Sequence, residues 1–196
     1  MASVERDQIR IRLAGKGGQG IMLGGAILAE AAMLDGLRVA ETQEYGPEAR
    51  LGATKADLII SNRQIAFPEV HKADFLLCLS RPAYLRYAKT VAEDGLMIAE
   101  KILREEMGDS PNVVYLPLRA SALSLGNELY TNIIGLAALA AFSGAVTKES
   151  LENSVRSRVK AETVLTNFAA LDLGYKLAEE ADSSRLVSAA ASKLSR

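Results

Sequence analysis

The sequence predicts a three-layer α/β domain with a mainly parallel sheet and a helical C-terminal segment. Two observations carry this. A strand-like run passes through the glycine-rich turn GKGGQG into an apolar helix and a second strand. Apolar runs of strand length then alternate with helix-like stretches to about residue 115, and from Ala120 onward the long segments read as helix. The 196 residues fit one domain, an α/β core over 8–145 followed by a helical part over 146–196.

Each element follows from its pattern. QIRIRLA alternates Ile9, Ile11 and Leu13 with Arg10 and Arg12, the period of a strand with one apolar face. A parallel strand buried on both sides reads as continuous apolar sequence, so a polar group or a partner is expected against the arginines. IMLGGAILAEAAML is a helix, apolar nearly all round. Gly24 and Gly25 inside it cost about 1 kcal/mol each relative to Ala, which fits a place where another backbone packs closely. LRVAET is the second strand, and the unit opens a right-handed βαβ crossover. TKADLIIS and QIAF flank Asn62-Arg63 as a hairpin closed by Pro68. DFLLCLS is a buried strand, and RPAYLRYAKTVAEDG a helix with Pro82 in its first turn and Gly95 at its end. LMIAE and NVVYLPL are shorter strands. LYTNIIGLAALAAFSG is a helix ending at Gly144, Thr147 caps KESLENSVRSRV, and the remainder supplies one or two more helices.

Composition excludes several functions. Lys and Arg number 23 against 24 Asp and Glu, scattered along the chain, so neither a nucleic-acid footprint nor a polybasic membrane patch is expected. The charged N-terminus MASVERDQIRIR is unlike a signal peptide, and IIGLAALAAF is too short to span a bilayer, so a cytoplasmic protein is expected. One cysteine, Cys78, and one histidine, His71, cannot build an iron–sulfur cluster or a structural zinc site from this chain alone. Cys78 reads as a core thiol and His71 as a surface or turn residue.

The turn GKGGQG satisfies G-x-G-x-x-G with Gly15, Gly17 and Gly20, between a strand and a helix, and also holds Gly18 and Gln19. Such a turn brings backbone N–H groups and a helix N-terminus to an anion. Glu41, read as the end of the second strand, occupies the place of a ribose-holding acid in a dinucleotide-binding fold. An NAD-dependent dehydrogenase is therefore one reading, and close strand-to-helix packing is the other. Against the first stands the lack of a second region to hold substrate, with His71 the one neutral-pH titrating side chain. No Walker A motif is present. A non-enzymatic nucleotide- or coenzyme-A-binding module is a third reading.

GKGGQG after the first strand, YGPEAR after the second, then TNIIGLAALAAF and NFAALDLGYKLAEE, together resemble the gamma subunit of the 2-oxoacid:ferredoxin oxidoreductases. ETQEYGPEAR looks most like the 2-oxoglutarate branch, with the pyruvate, ketoisovalerate and indolepyruvate branches behind it. The resemblance spans residues 9–180 and implies a Rossmann-like, non-redox subunit. It implies a complex that decarboxylates a 2-oxoacid with coenzyme A to an acyl-CoA, carbon dioxide and reduced ferredoxin. Thiamine diphosphate, magnesium and iron–sulfur clusters would sit on alpha, beta and delta (ferredoxin-like) partners, with no cofactor bound and no catalysis by this chain alone. Tyr45, Gly46 and Pro47 then form a bend that presents Glu48 and Arg50. Arg50 could grip a carboxylate or phosphate near the coenzyme A path or the subunit seam. An intramolecular pair with Glu44 or Glu48, contributing under about 1 kcal/mol, is the alternative. Asn132 matches a family asparagine, and helix capping or a buried hydrogen bond would explain it equally. The family usually carries Arg-Gly-Gly where this chain has Arg50-Leu51-Gly52, so Leu51 could instead fill an apolar pocket on a neighbouring subunit.

Overall fold

A computed structural model describes residues 8–45 and 52–194. Six strands form one sheet: β1 (Gln8–Lys16), β2 (Arg38–Glu44), β3 (Ala53–Ser61), β4 (Ala73–Cys78), β5 (Val91–Glu100) and β6 (Val113–Leu116). Their order is β2-β3-β1-β4-β5-β6. β3 runs antiparallel to β1 and β2, while β1–β4, β4–β5 and β5–β6 pair in parallel. Five strands therefore share one direction and β3 opposes them.

The position of β3 corrects the expected hairpin. TKADLIIS pairs with β1 on one side and β2 on the other, and residues 64–67 hold no strand. A nine-residue strand with eight buried positions completes its hydrogen bonds best with a ladder on both sides. Ile65 packs instead in a side cluster with Ile59, Val70 and Ala73.

Helices cover both faces. On one lie α1 (Ile21–Leu34) and α5 (Thr131–Ser143), backed by α6 (Lys148–Arg158) and α7 (Val164–Leu194). On the other lie α2 (Arg81–Tyr87) and α3 (Leu103–Met107), packed on Ala14, Leu76, Cys78 and Met97. A short helix, α4 (Leu118–Ser124), follows β6. Residues 131–140 of α5 are all buried, which explains a helix without a polar stripe. Its contact with α7 depends on Gly174, where an added Cβ would sit 2.2 Å from the Ile134 carbonyl oxygen. Gly144 closes α5 in the left-handed region, and the Thr147 hydroxyl accepts from Ser150 N at the start of α6, both as expected. Among the described residues no helix is long and apolar enough to cross a membrane.

Two further expectations change. The helix after β4 ends at Tyr87, a 3₁₀ turn follows, and Gly95 lies inside β5. The β4–β5 register shifts between Ala73 and Phe75, and a Cβ at Gly95 would sit 2.9 Å from the carbonyl oxygens of Ala73 and Asp74. That glycine lets the strands approach at a bulge rather than stopping a helix. At Gly25 the close neighbours are side chains, not a backbone: Glu41 Oε1 at 2.6 Å and Ala56 Cβ at 2.9 Å from the position of a Cβ.

The arginine face of β1 is covered from within the chain. Arg12 is 3% exposed and forms a forked pair with Asp57, its cross-strand partner on β3, at 2.6 and 2.8 Å. Its remaining donors reach the Thr90 hydroxyl and the Val70 carbonyl, both at 2.6 Å. The guanidinium also lies 5.3 Å from the centre of the Tyr87 ring. Every end of the buried charge is thus paired, the condition under which such a charge is tolerated.

Candidate functional site

The glycine turn stands at the C-terminal edge of the sheet, where open α/β folds leave a crevice. Gly18 and Gly20 have φ of 89° and 69°, a region open to glycine and costly for other residues. Gln19 ties the turn to the sheet. Its Oε1 accepts from Lys16 N at 2.8 Å, and its Nε2 donates to the Leu79 carbonyl beyond β4 at 3.2 Å. Asn132, 7% exposed in the first turn of α5, donates from Nδ2 to the Gly20 carbonyl at 3.2 Å and accepts from Ile133 N at 2.9 Å. The predicted glycines, Gln19 and Asn132 therefore form one unit, and Asn132 takes the buried hydrogen-bonding role.

Two clefts open on either side of this turn, sharing Leu129 as a wall. The first, about 460 Å³, runs from Lys16, Gly17 and Gly18 past Ser80 and Arg81 to Glu100 and Arg119. Glu100, at the end of β5, accepts backbone N–H groups of Lys101 and Arg119 at 3.1 and 2.8 Å. Burial outweighs those bonds and holds its carboxyl above the ordinary range. Arg81 pairs with Glu106, and Arg119 with Glu128 at 2.8 Å. The second cleft, about 430 Å³, lies between the turn, Asn132, and the junction of α6 with α7 at Arg158, Lys160 and Asn167. Sequence reasoning missed Glu100, Arg119, Lys160 and Asn167. For Glu100 a signal existed, a lone carboxylate closing the apolar strand LMIAE. For Asn167 none did, because it sits inside a helical pattern.

Glu41 does not join the turn. It lies in the middle of β2, opposite Leu58, rather than at the strand's end, and β3 separates β2 from β1. That places it one strand spacing, about 4.8 Å, further away than the ribose acid of a dinucleotide fold. Its Oε1 accepts from Gln43 Nε2 at 2.8 Å and lies against Gly25 of α1. Tyr45, just after β2, is 70% exposed on the same edge of the sheet as the turn. Gly46, Pro47, Glu48, Arg50 and Leu51 lie outside the described residues. Glu44 pairs with Arg86 at 2.7 Å and Lys55 at 3.5 Å. His71 is exposed at the start of β4, the opposite edge. Cys78 is fully buried and burial pushes its thiol up to about 12, so it is a core thiol rather than a nucleophile. No group of three or more His, Cys, Asp or Glu among the described residues could hold a metal ion, so these residues do not fit a metal or cluster site. The geometry offers clefts of mixed polar and apolar lining for a ligand or a partner.

The family model for pyruvate ferredoxin/flavodoxin oxidoreductase matches residues 10–177. The chain belongs to this family. Its relatives within the oxidoreductase family include the 2-oxoglutarate synthase subunit KorC of Methanocaldococcus jannaschii, 39% identical over 175 residues that cover 87% of this chain and 94% of the relative. The crystal structure of a keto/oxoacid ferredoxin oxidoreductase gamma subunit from Geobacter sulfurreducens PCA superposes with a TM-score of 0.78 at 35% identity, over 88% of this chain and 99% of that one. A 2-oxoglutarate:ferredoxin oxidoreductase from Magnetococcus marinus, with 2-oxoglutarate, coenzyme A and succinyl-CoA bound, shares the fold at a TM-score of 0.79 and 19% identity. There the match covers 90% of this chain but 32% of the other, so the same fold forms part of a much longer polypeptide.

Proposed function

We propose that this chain is the gamma subunit of a 2-oxoglutarate:ferredoxin oxidoreductase, an enzyme that uses coenzyme A to convert 2-oxoglutarate to succinyl-CoA, carbon dioxide and reduced ferredoxin. The observation that carries the reading is the nearly end-to-end match, at 39% identity, to a 2-oxoglutarate synthase subunit of the same length class. The chain does not catalyse the reaction alone. Thiamine diphosphate, magnesium and iron–sulfur clusters belong to alpha, beta and delta partners, and the complex works in the cytoplasm. The residues here support that division: Cys78 is buried and His71 lies at the far edge of the sheet.

This subunit's task is to dock on the thiamine-bearing subunits through the C-terminal edge of the sheet and to complete the coenzyme A path. Leu23, Tyr45, Ile102 and Leu129 expose apolar surface there around clefts of mixed polar and apolar lining, a composition that suits a docking surface. Glu48 and Arg50 follow β2 in the sequence. Arg50 supplies a forked cationic contact to a phosphate or carboxylate, and Leu51 an apolar one to a neighbouring subunit.

The test is co-expression with thiamine-binding and ferredoxin-like partners from the same genome. The purified complex is expected to reduce ferredoxin with 2-oxoglutarate and coenzyme A, and to do so poorly with pyruvate. Activity of the chain without partners, or a complex that prefers another 2-oxoacid, would overturn the reading.

A further inference from the structure

The edge of the sheet opposite the glycine turn holds a second arginine of β1, and this one lacks an anion. Arg10 and Arg12 are two residues apart on the strand and therefore share a face. Arg12 is paired at every end. Arg10 is half-buried, its backbone N–H donates to Asp74 Oδ2 at 2.8 Å, and its guanidinium has no partner among the described residues. A guanidinium partly withdrawn from water and left without an anion is pre-set for a forked contact with a carboxylate.

A cavity of about 290 Å³ opens beside Arg10, and its other walls narrow the choice of occupant. Ile59, the cross-strand partner of Arg10 on β3 and 1% exposed, supplies an apolar floor. Phe67 and His71 form an aromatic flank, their ring centres 6.1 Å apart and their planes tilted by 35°. The remaining charges on the wall are engaged: Lys72 Nζ donates to the Lys89 carbonyl at 2.7 Å, and Glu69 Oε2 lies 3.5 Å from His71 Nε2. The volume suits one ring with a short acid chain and is too small for a nucleotide. The Glu69 carboxylate opposes a doubly charged phosphate, which favours a monoanion on Arg10.

We propose that this cavity binds a small aromatic monocarboxylate, with Arg10 gripping the carboxylate and Phe67 and His71 flanking the ring. The site shares no residue with the two clefts at the glycine turn, and it does not depend on the oxidoreductase reading.

His71 is the only histidine of the chain, so its imidazole resonances report on this cavity in the untagged full-length protein. Titration with phenylacetate at constant pH is expected to shift them saturably, with a Kd of about 0.1–1 mM. Phenethyl alcohol, which lacks the charge, and acetate, which lacks the ring, should each bind roughly tenfold more weakly or worse. Arg10→Gln should abolish the shift. Phe67→Ser should weaken phenylacetate roughly three- to tenfold, and as a change at an exposed position it keeps the test open if Arg10→Gln fails to fold. No saturation by about 10 mM phenylacetate, equal binding of phenethyl alcohol or of acetate, or phenylacetate binding unchanged in a folded variant would overturn the proposal.

Discussion

Asn132 Nδ2 donates to the carbonyl oxygen of Gly20 at 3.2 Å, joining α5 to a turn 112 residues earlier in the chain. The bond fixes the glycine turn against the most buried helix of the domain, and it separates the two clefts that open from that turn.

Gly20→Ala is therefore expected to be costly in two ways. A Cβ there would sit 2.2 Å from Asn132 Nδ2, and φ of 69° strains any other residue. A loss of roughly 2–3 kcal/mol in urea unfolding is expected. Adding Asn132→Ala should return part of it by removing the overlap but not the strain. Additive losses in the double variant would show that the two residues do not share one contact.

Asp57→Ala should destabilise the fold by roughly 3–5 kcal/mol, because it leaves the Arg12 guanidinium buried without its anion. Replacing both, with Arg12→Met and Asp57→Leu, should recover most of that loss by filling the same space with apolar atoms. Chemical denaturation of the three variants decides the matter. A double variant no better than Asp57→Ala would mean that the Thr90 and Val70 contacts of Arg12 carry the stability.

The Asp35 carboxylate links the end of α1 to the start of α6, accepting from Thr147 N and Oγ1 at 2.7 Å each and from Ser150 Oγ at 2.6 Å. Burial raises its pKa, but the bonds from Ser150 and Thr147 together prevail and hold it below the ordinary value of 3.8. A group lowered in the folded state stabilises above its unfolded pKa, and that contribution is lost as pH falls through the folded one. The melting temperature should thus carry an acid-side loss below about pH 4 that is smaller in Asp35→Asn. Equal acid slopes for the two proteins would contradict this.

Arg50→Ala separates two expectations for the loop after β2. A ligand or subunit contact predicts lost turnover or assembly of the complex with the melting temperature of the isolated chain unchanged. An internal ion pair predicts the reverse, a small drop in stability below about 1 kcal/mol with turnover intact.

Much of the fold was legible in local patterns. The β1–turn–α1–β2 unit, the end of α5 at Gly144 and the Thr147 cap each depend on residues within a few positions of one another. The errors came where distant residues decided. TKADLIIS looked like half of a local hairpin, yet it inserts between β1 and β2 because burial on both edges completes more hydrogen bonds. Gly95 looked like a helix stop, and only the approach of Ala73 and Asp74 reveals a bulge.

The sequence by itself determined the α/β class, the glycine turn, the core character of Cys78 and the family, since period, turn chemistry and motif order are properties of the chain. Tertiary structure alone decided that Glu41 rests on Gly25 instead of reaching the turn, that Asp57 neutralises Arg12, and that Asn132 and Asn167 flank one cleft. The physical reason is the same in each case. A polar group's role depends on which partner burial brings within hydrogen-bond reach, and that partner is 45 residues away for Arg12 and 112 for Asn132.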